Sequence, residues 1–218
     1  MMTNLFSTFD PCTGMLSLNW LSTMLFLIIM PSNFWIKNNK TKTILLKLMW
    51  LLTKEMMSLT KNKSVPMIML PLFMLILVIN MMGLLPYIFT SSSHLVFSMT
   101  MALPMWMSFM IFGWTKKTNM MFAHLVPVGT PTVLMPFMVL IETTSNIIRP
   151  GSLAVRLSAN MIAGHLLMSL LGSNSSKSSF ILMISMIVFI TLILFESAVA
   201  VIQSYVFMTL STLYSSEI

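Results

Sequence analysis

Arg156 stands within Gly151-Ser-Leu-Ala-Val-Arg-Leu-Ser-Ala-Asn-Met-Ile-Ala-Gly-His165, a run whose other residues mostly suit lipid better than water. A charge at the centre of a bilayer costs at least about 3 kcal/mol on insertion scales, and a guanidinium cannot shed its proton to escape that cost. A purely structural cation, held by carbonyls at a helix end, is the alternative, and the same cost weighs against it. A fixed positive charge in such a place points instead to an anion that it must meet. Asn160 and His165 accompany it, Glu142 and Arg149 precede it, and Glu196 and Gln203 lie on a later apolar stretch. Imidazole and carboxylate groups can both exchange protons near neutral pH, so His165 and Glu196 form a candidate relay beside a permanent cation. Taken alone, His165 reads more simply as a bundle histidine satisfied by its neighbours; Glu196 gives it a second reading.

Two long apolar arms must position these groups, over roughly residues 131–171 and 179–214. About 40 residues of helix extend roughly 60 Å against a hydrocarbon core of about 30 Å, so both arms are expected to tilt steeply. Pro150 and Gly151 sit mid-arm and allow a bend, because proline removes one helical hydrogen bond. On a helix that continues past Pro150, Glu142, Arg149, Arg156 and Asn160 fall within about 60° of one another and form a single polar stripe. His165 lies nearly opposite Arg156. Glu196 and Gln203 are seven apart and share a face of the second arm. In an antiparallel hairpin closed by the Gly/Ser/Asn loop 172–179, one register brings His165 to Glu196 and Arg156 to Gln203, with about a helical turn of offset between the arms.

Composition sets the class. Of the 218 residues, 57% are hydrophobic and only 8% charged, and the mean hydropathy is +0.92. The expected fold is an all-α polytopic membrane protein of about five membrane helices plus one amphipathic interfacial helix, in a single membrane domain spanning 1–218. Neither a secretory signal nor a transit peptide is expected, since the first basic residue is Lys37. Cys12 is the lone cysteine, and the 27 methionines read as apolar filler rather than metal ligands. No cofactor and no metal site are expected.

The net charge of +7 is unevenly spread, and its distribution reports topology rather than a nucleic-acid partner. Seven of the twelve basic residues lie between Lys37 and Lys63, with Lys116 and Lys117 marking a second basic loop. The positive-inside rule places both on the side of synthesis. A first span at 15–35 then begins outside, 65–90 crosses outward, 94–114 returns, and the final hairpin brings the C-terminus back to the basic side. Between Lys37 and Lys63, Lys40, Lys47, Lys54 and Lys61 recur every seven residues and form one stripe, with Leu45, Leu52 and Leu59 opposite. That pattern predicts a helix over 40–62 lying in the headgroup plane. A basic loop serving only as a topology signal is the plainer alternative. His94 and His124, beside and in loops, read as interfacial residues, Asp10 and Glu217 as solvated, and Asn80 as a hydrogen-bonding group between helices.

The run Ser152-Leu-Ala-Val-Arg-Leu-Ser-Ala-Asn-Met-Ile-Ala-Gly-His165 resembles the signature of the ATP synthase subunit a family. The likeness extends to the opening Met-Thr-Asn-Leu-Phe-Ser-Thr-Phe-Asp-Pro, to Asn80-Met-Met-Gly-Leu-Leu-Pro-Tyr87 and to Ala200-Val-Ile-Gln-Ser-Tyr205, and so covers essentially the whole chain. The resemblance implies a proton-translocating stator subunit of the F-type membrane sector, not catalytic by itself, packed against a rotating c-ring whose subunits each carry one membrane carboxylate. Arg156 matches the family's essential arginine. His165 and Glu196 match a pair that bacterial relatives fill in the opposite order, and would line a half-channel from the intermembrane space. Glu142 matches an acid of the matrix-side half-channel, and Asn160 and Gln203 match polar neighbours of the arginine. The resemblance further implies the mitochondrial inner membrane, with the N-terminus toward the intermembrane space and the C-terminus toward the matrix. The implied partners are the c-ring, other stator subunits including the peripheral stalk, the lipid bilayer and protons. Arg149 departs from the family's pattern; it is expected either to pair with Glu142 or to turn toward lipid headgroups.

Other functional classes fit less well. A membrane subunit of a respiratory redox complex would need histidines paired on facing spans, and only His165 lies well inside one. A secondary transporter commonly carries an internal repeat, and none is visible here. No P-loop or other nucleotide signature is present, so ATP chemistry is expected on other subunits.

Overall fold

A computed structural model describes residues 5–12, 18–31, 37–60, 64–86, 88–126, 129–175 and 179–217, and among these every regular element is helical. In chain order they are a 3-10 turn Leu5–Phe9, a 3-10 segment Leu18–Met24 running into α1 (Leu25–Ile29), α2 (Lys40–Leu59), α3 (Ser64–Gly83), a 3-10 turn Ser91–Ser93, α4 (Leu95–Lys116), α5 (Thr118–Leu125), a 3-10 turn Thr132–Leu134, α6 (Met135–Ser175) and α7 (Ser179–Glu217). Four of them, α3, α4, α6 and α7, are long and apolar enough to cross a membrane. The chain is an all-α polytopic membrane protein.

Of the expected first span at 15–35, residues 18–31 are described and the rest lies outside the described residues. Its described helix covers seven 3-10 and five α residues. It stops at Met30, whose backbone is extended (φ −63°, ψ 124°), because Pro31 disfavours helical backbone in the residue before it. Toward the end of the chain, α6 runs four residues into the expected 172–179 loop; the Ser173 and Ser175 hydroxyls hydrogen-bond back to the carbonyls of Leu170 and Gly172, so these serines find their partners inside the helix. α5 is a short helix that the sequence pattern did not show, and it takes His124 out of the expected loop. Lys61, Lys63, Tyr87, Lys177 and the residues before Leu5 lie outside the described residues.

α2 buries only Met56 and exposes Lys40, Lys47 and Lys54. Leu45 and Leu52 pack on the cluster formed by Met56, Met69, Leu70, Phe73, Met74 and Met208, whereas Leu59, in the helix's last turn, stays exposed. Lys54 lies 3.6 Å above the centre of the Trp50 ring, a cation–π contact along the helix surface. Behind this helix α3 packs on α7, α4 on α6, and α6 on α7. A second cluster, Ile76, Ala102, Leu153, Ala154, Leu157 and Phe207, joins the four long helices around the middle of α6. Small buried residues allow that closeness: Ala154, Ser204 and Thr212 are each 0% exposed, and the two hydroxyls are satisfied by the carbonyls of Val201 and Thr209 in their own helix. Membrane helices approach most closely through such positions. Pro150 is buried within α6 without ending it, so the 41-residue helix is continuous and carries four of the six candidate site residues.

Candidate functional site

Arg156 lies in the middle of α6 on the face turned away from the bundle. It is exposed, as are Ser152, Val155, Ala159, Asn160 and Ala163 around it, while Leu153, Ala154, Leu157 and Ser158 on the other side of the helix are buried. Among the described residues the guanidinium has no ion pair or hydrogen bond. The surface round it is built of small side chains that let another helix come close.

Gln203 of α7 does not meet Arg156. Its Oε1 accepts a 3.1 Å hydrogen bond from Nδ2 of Asn160, one helical turn further along α6. The partner differs within a helical turn for a geometric reason: Asn160 is rotated about 40° from Arg156 on the helix, toward α7. The amide pair therefore bridges α6 and α7 beside the guanidinium and leaves the charge outward.

Glu196 comes to Gly164, the residue next to His165. A β-carbon on Gly164 would lie 2.5 Å from Cδ of Glu196 and 2.6 Å from both carboxylate oxygens, so the acid occupies the space that only glycine leaves at this crossing. His165 points elsewhere. Its ring lies beside the backbone of Gly83 at the end of α3 and meets Phe9 edge-on at 6.0 Å. Nε2 of His165 and Oε1 of Glu196 are buried and lack partners among the described residues. The two groups are neighbours across the α6–α7 crossing without being bonded to each other, as two stations separated by a hydrogen-bonding molecule would be.

Glu142 lies 14 residues before Arg156, about 21 Å along the helix axis. It pairs with Arg149 at 3.6 Å, and the Arg149 guanidinium also sits 5.0 Å from the centre of the Tyr214 ring. Of the two arrangements open to Arg149, pairing with the acid is the one formed. Both lie on a cavity of about 440 Å³ that is walled by Trp106 and Trp114 of α4, His124 of α5, Asn146 of α6 and Tyr214 of α7. The site thus has two polar regions, at Glu142 and at His165–Glu196, on opposite sides of Arg156.

Sequence reasoning passed over Gly164, Gly83, Phe9 and the cavity residues Trp106, His124 and Tyr214 as parts of these regions. Gly164 carried a readable signal, since glycine inside a helix costs about 1 kcal/mol relative to alanine and usually has a packing reason. The others depend on how separate helices meet.

The sequence matches the family model of the ATP synthase A chain over residues 15–216, a range that includes all six candidate residues. The chain belongs to that family. Over the full length of both chains it is 56% identical to ATP synthase subunit a of Aedes aegypti, 54% identical to that of Locusta migratoria and 54% identical to that of Drosophila melanogaster. Membership of the ATP synthase A chain family makes it a subunit of the membrane sector of ATP synthase.

Proposed function

We propose that this chain is the stator that couples proton flow to rotation of a ring of small subunits in the mitochondrial inner membrane. Arg156 is the element of that coupling that cannot change its charge. A ring carboxylate brought opposite the guanidinium is held in its ionised form by the opposite charge, and moved away into lipid it favours the protonated form. Passage of each carboxylate past Arg156 therefore requires release of one proton and uptake of another. His165 and Glu196 supply the proton from the intermembrane-space side, Glu142 passes it to the matrix side, and Asn160 with Gln203 fixes the α6–α7 spacing beside the cation. Because the guanidinium stands between the two polar regions, it also opposes direct leakage of protons from one to the other. The N-terminus faces the intermembrane space and the C-terminus the matrix; the ring, the peripheral stalk and lipid complete the surroundings, and ATP chemistry belongs to other subunits.

The observation that supports this reading most is the exposure of Arg156 without a partner among the described residues. A permanent charge on the outer face of a membrane helix is costly unless an anion comes to it, and the small residues around it admit a helix that carries one. Arg156→Ala is expected to abolish ATP-driven proton pumping while the complex still assembles. Coupled pumping by the assembled variant would refute the role.

A further inference from the structure

Of the chain's five acidic residues, Glu142 and Glu196 belong to the candidate site, Asp10 accepts the Cys12 backbone N–H at 3.1 Å, and Glu217 is the last residue of α7. Glu55 has no part in the proposed function. It is the one acid of α2, alongside Lys40, Lys42, Lys47 and Lys54. Its neighbours three and four residues away are Leu51, Leu52, Ser58 and Leu59, none of them basic, and the adjacent Lys54 is engaged with the Trp50 ring. Among the described residues the Glu55 carboxylate makes no ion pair and one hydrogen bond: its Oε2 accepts from the Tyr205 hydroxyl of α7 at 3.3 Å.

Tyr205 lies two residues beyond Gln203, so the two side chains leave α7 about 200° apart, on nearly opposite sides of the helix. Gln203 reaches Asn160 of α6, and Tyr205 reaches α2. Beside this second contact Met56, next to Glu55, and Met208, one turn after Tyr205, are each 1% exposed and share one apolar cluster. α7 is thus held from two directions at almost one level. Elsewhere it has little to resist turning about its own axis. Met183, Ile187, Leu194 and Phe195 face outward, and apart from Phe207 and Met208 its buried positions include the small Ala200, Ser204, Ser211 and Thr212, which allow close approach without interlocking.

A hydrogen bond is directional, and on a membrane helix it does not compete with bulk water. We propose that Glu55 is a positioning residue for the site: through Tyr205 it sets the rotation of α7 at which Gln203 meets Asn160 and Glu196 seats against Gly164. Glu196 lies seven residues before Gln203 on the same face, so a turn of α7 displaces both. What Glu55 supplies is an acceptor oxygen rather than a charge, and glutamine can supply it where alanine cannot. The role rests on the proposed function, which gives Gln203 and Glu196 their tasks.

The test uses the intact ATP synthase complex in inner-membrane vesicles, with Cys12→Ser as background. Asn160→Cys and Gln203→Cys are joined by a short bifunctional thiol reagent, and the yield reports the rotation of α7 whatever the site does. Glu55→Ala and Tyr205→Phe should each lower that yield about threefold or more, Glu55→Gln should keep it near the parent value, and Glu55→Ala combined with Tyr205→Phe should lose no more than either alone. With Asn160 and Gln203 in place, Glu55→Ala and Tyr205→Phe should lower the protons pumped per ATP hydrolysed about twofold or more, and Glu55→Gln should restore the ratio. A mere loss of stability lowers the amount of complex and leaves that ratio alone. An unchanged cross-linking yield overturns the positioning role, and so does a Glu55→Gln variant as damaged as Glu55→Ala. Should the paired cysteines fail to assemble, the pumping ratio decides, and an unchanged ratio in Glu55→Ala counts against the role in the same way. Arg156→Ala separates this role from the reading beneath it. If it stops pumping while Glu55→Ala alters neither readout, the positioning role alone is lost; if it leaves coupling intact, the site reading itself fails.

Discussion

Gly164 is the position in the site with least room for change. A methyl group there would overlap the Glu196 carboxylate, and the flexible end of the acid yields before two packed helices do. Gly164→Ala is therefore expected to retain assembly, at an overpacking cost of about 1–3 kcal/mol, and to lower proton conduction severalfold by swinging the carboxylate away from His165. Proton flux through the assembled complex, measured against thermal stability, separates these effects; unchanged flux would mean that the placement of Glu196 is immaterial. At this scale the sequence named the charged and polar groups because membrane burial makes each of them costly. It could not name their contacts. Whether Gln203 meets Arg156 or Asn160 turns on about 40° of helix rotation, and that is set by the packing of Leu153, Ala154, Leu157 and Phe207, which no periodicity encodes.

Between elements, the α6–α7 hairpin carries the candidate site, and α4 and α5 close one end of it. The long arms were legible from the lengths of their apolar runs. The continuity of α6 through Pro150 was a condition rather than a result of the sequence reading, and the 41-residue helix meets it. α5 escaped notice because eight residues give too short a periodic signal, and the end of α1 at Met30 did too because hydropathy does not register the effect of Pro31 on the residue before it. Arg149 gives a prediction at this level. It ties Glu142 on its own helix to Tyr214 on α7, and both charges are partly exposed, so the ion pair is worth at most about 1 kcal/mol. Arg149→Gln should leave pumping close to the parent rate with a small loss of stability, whereas Glu142→Gln should slow pumping markedly. Equal loss in both, read as proton flux per assembled complex, would place Arg149 in the proton path rather than beside it.

The whole molecule shows why so basic a chain need not bind nucleic acid. Most of its basic residues sit on and around α2 and at the end of α4, and much of the remaining surface is apolar: Met183, Ile187, Leu194 and Phe195 along α7 are each more than 60% exposed, as side chains meant for lipid or for a partner helix are. In the proposed reading the Lys40, Lys47 and Lys54 stripe lies against one leaflet, with each lysine contributing about 1 kcal/mol where the lipid is anionic. The proposed orientation puts that stripe on the matrix side. An impermeant amine-reactive label should modify Lys47 in inside-out inner-membrane vesicles and not in right-side-out ones; the reverse pattern would invert the topology and with it the assignment of the two half-channels.

The central claim, that the face of α6 bearing Arg156 rides against the rotor, is open to direct measurement by disulfide cross-linking in the assembled complex, with Cys12→Ser as background. Ala159→Cys, exposed three residues from Arg156, should cross-link to a cysteine placed beside the ring carboxylate and halt ATP-driven pumping until the bond is reduced, while Ala154→Cys on the buried face should not. Cross-links that form from Ala154→Cys and never from Ala159→Cys would turn the arginine away from the ring and contradict the account.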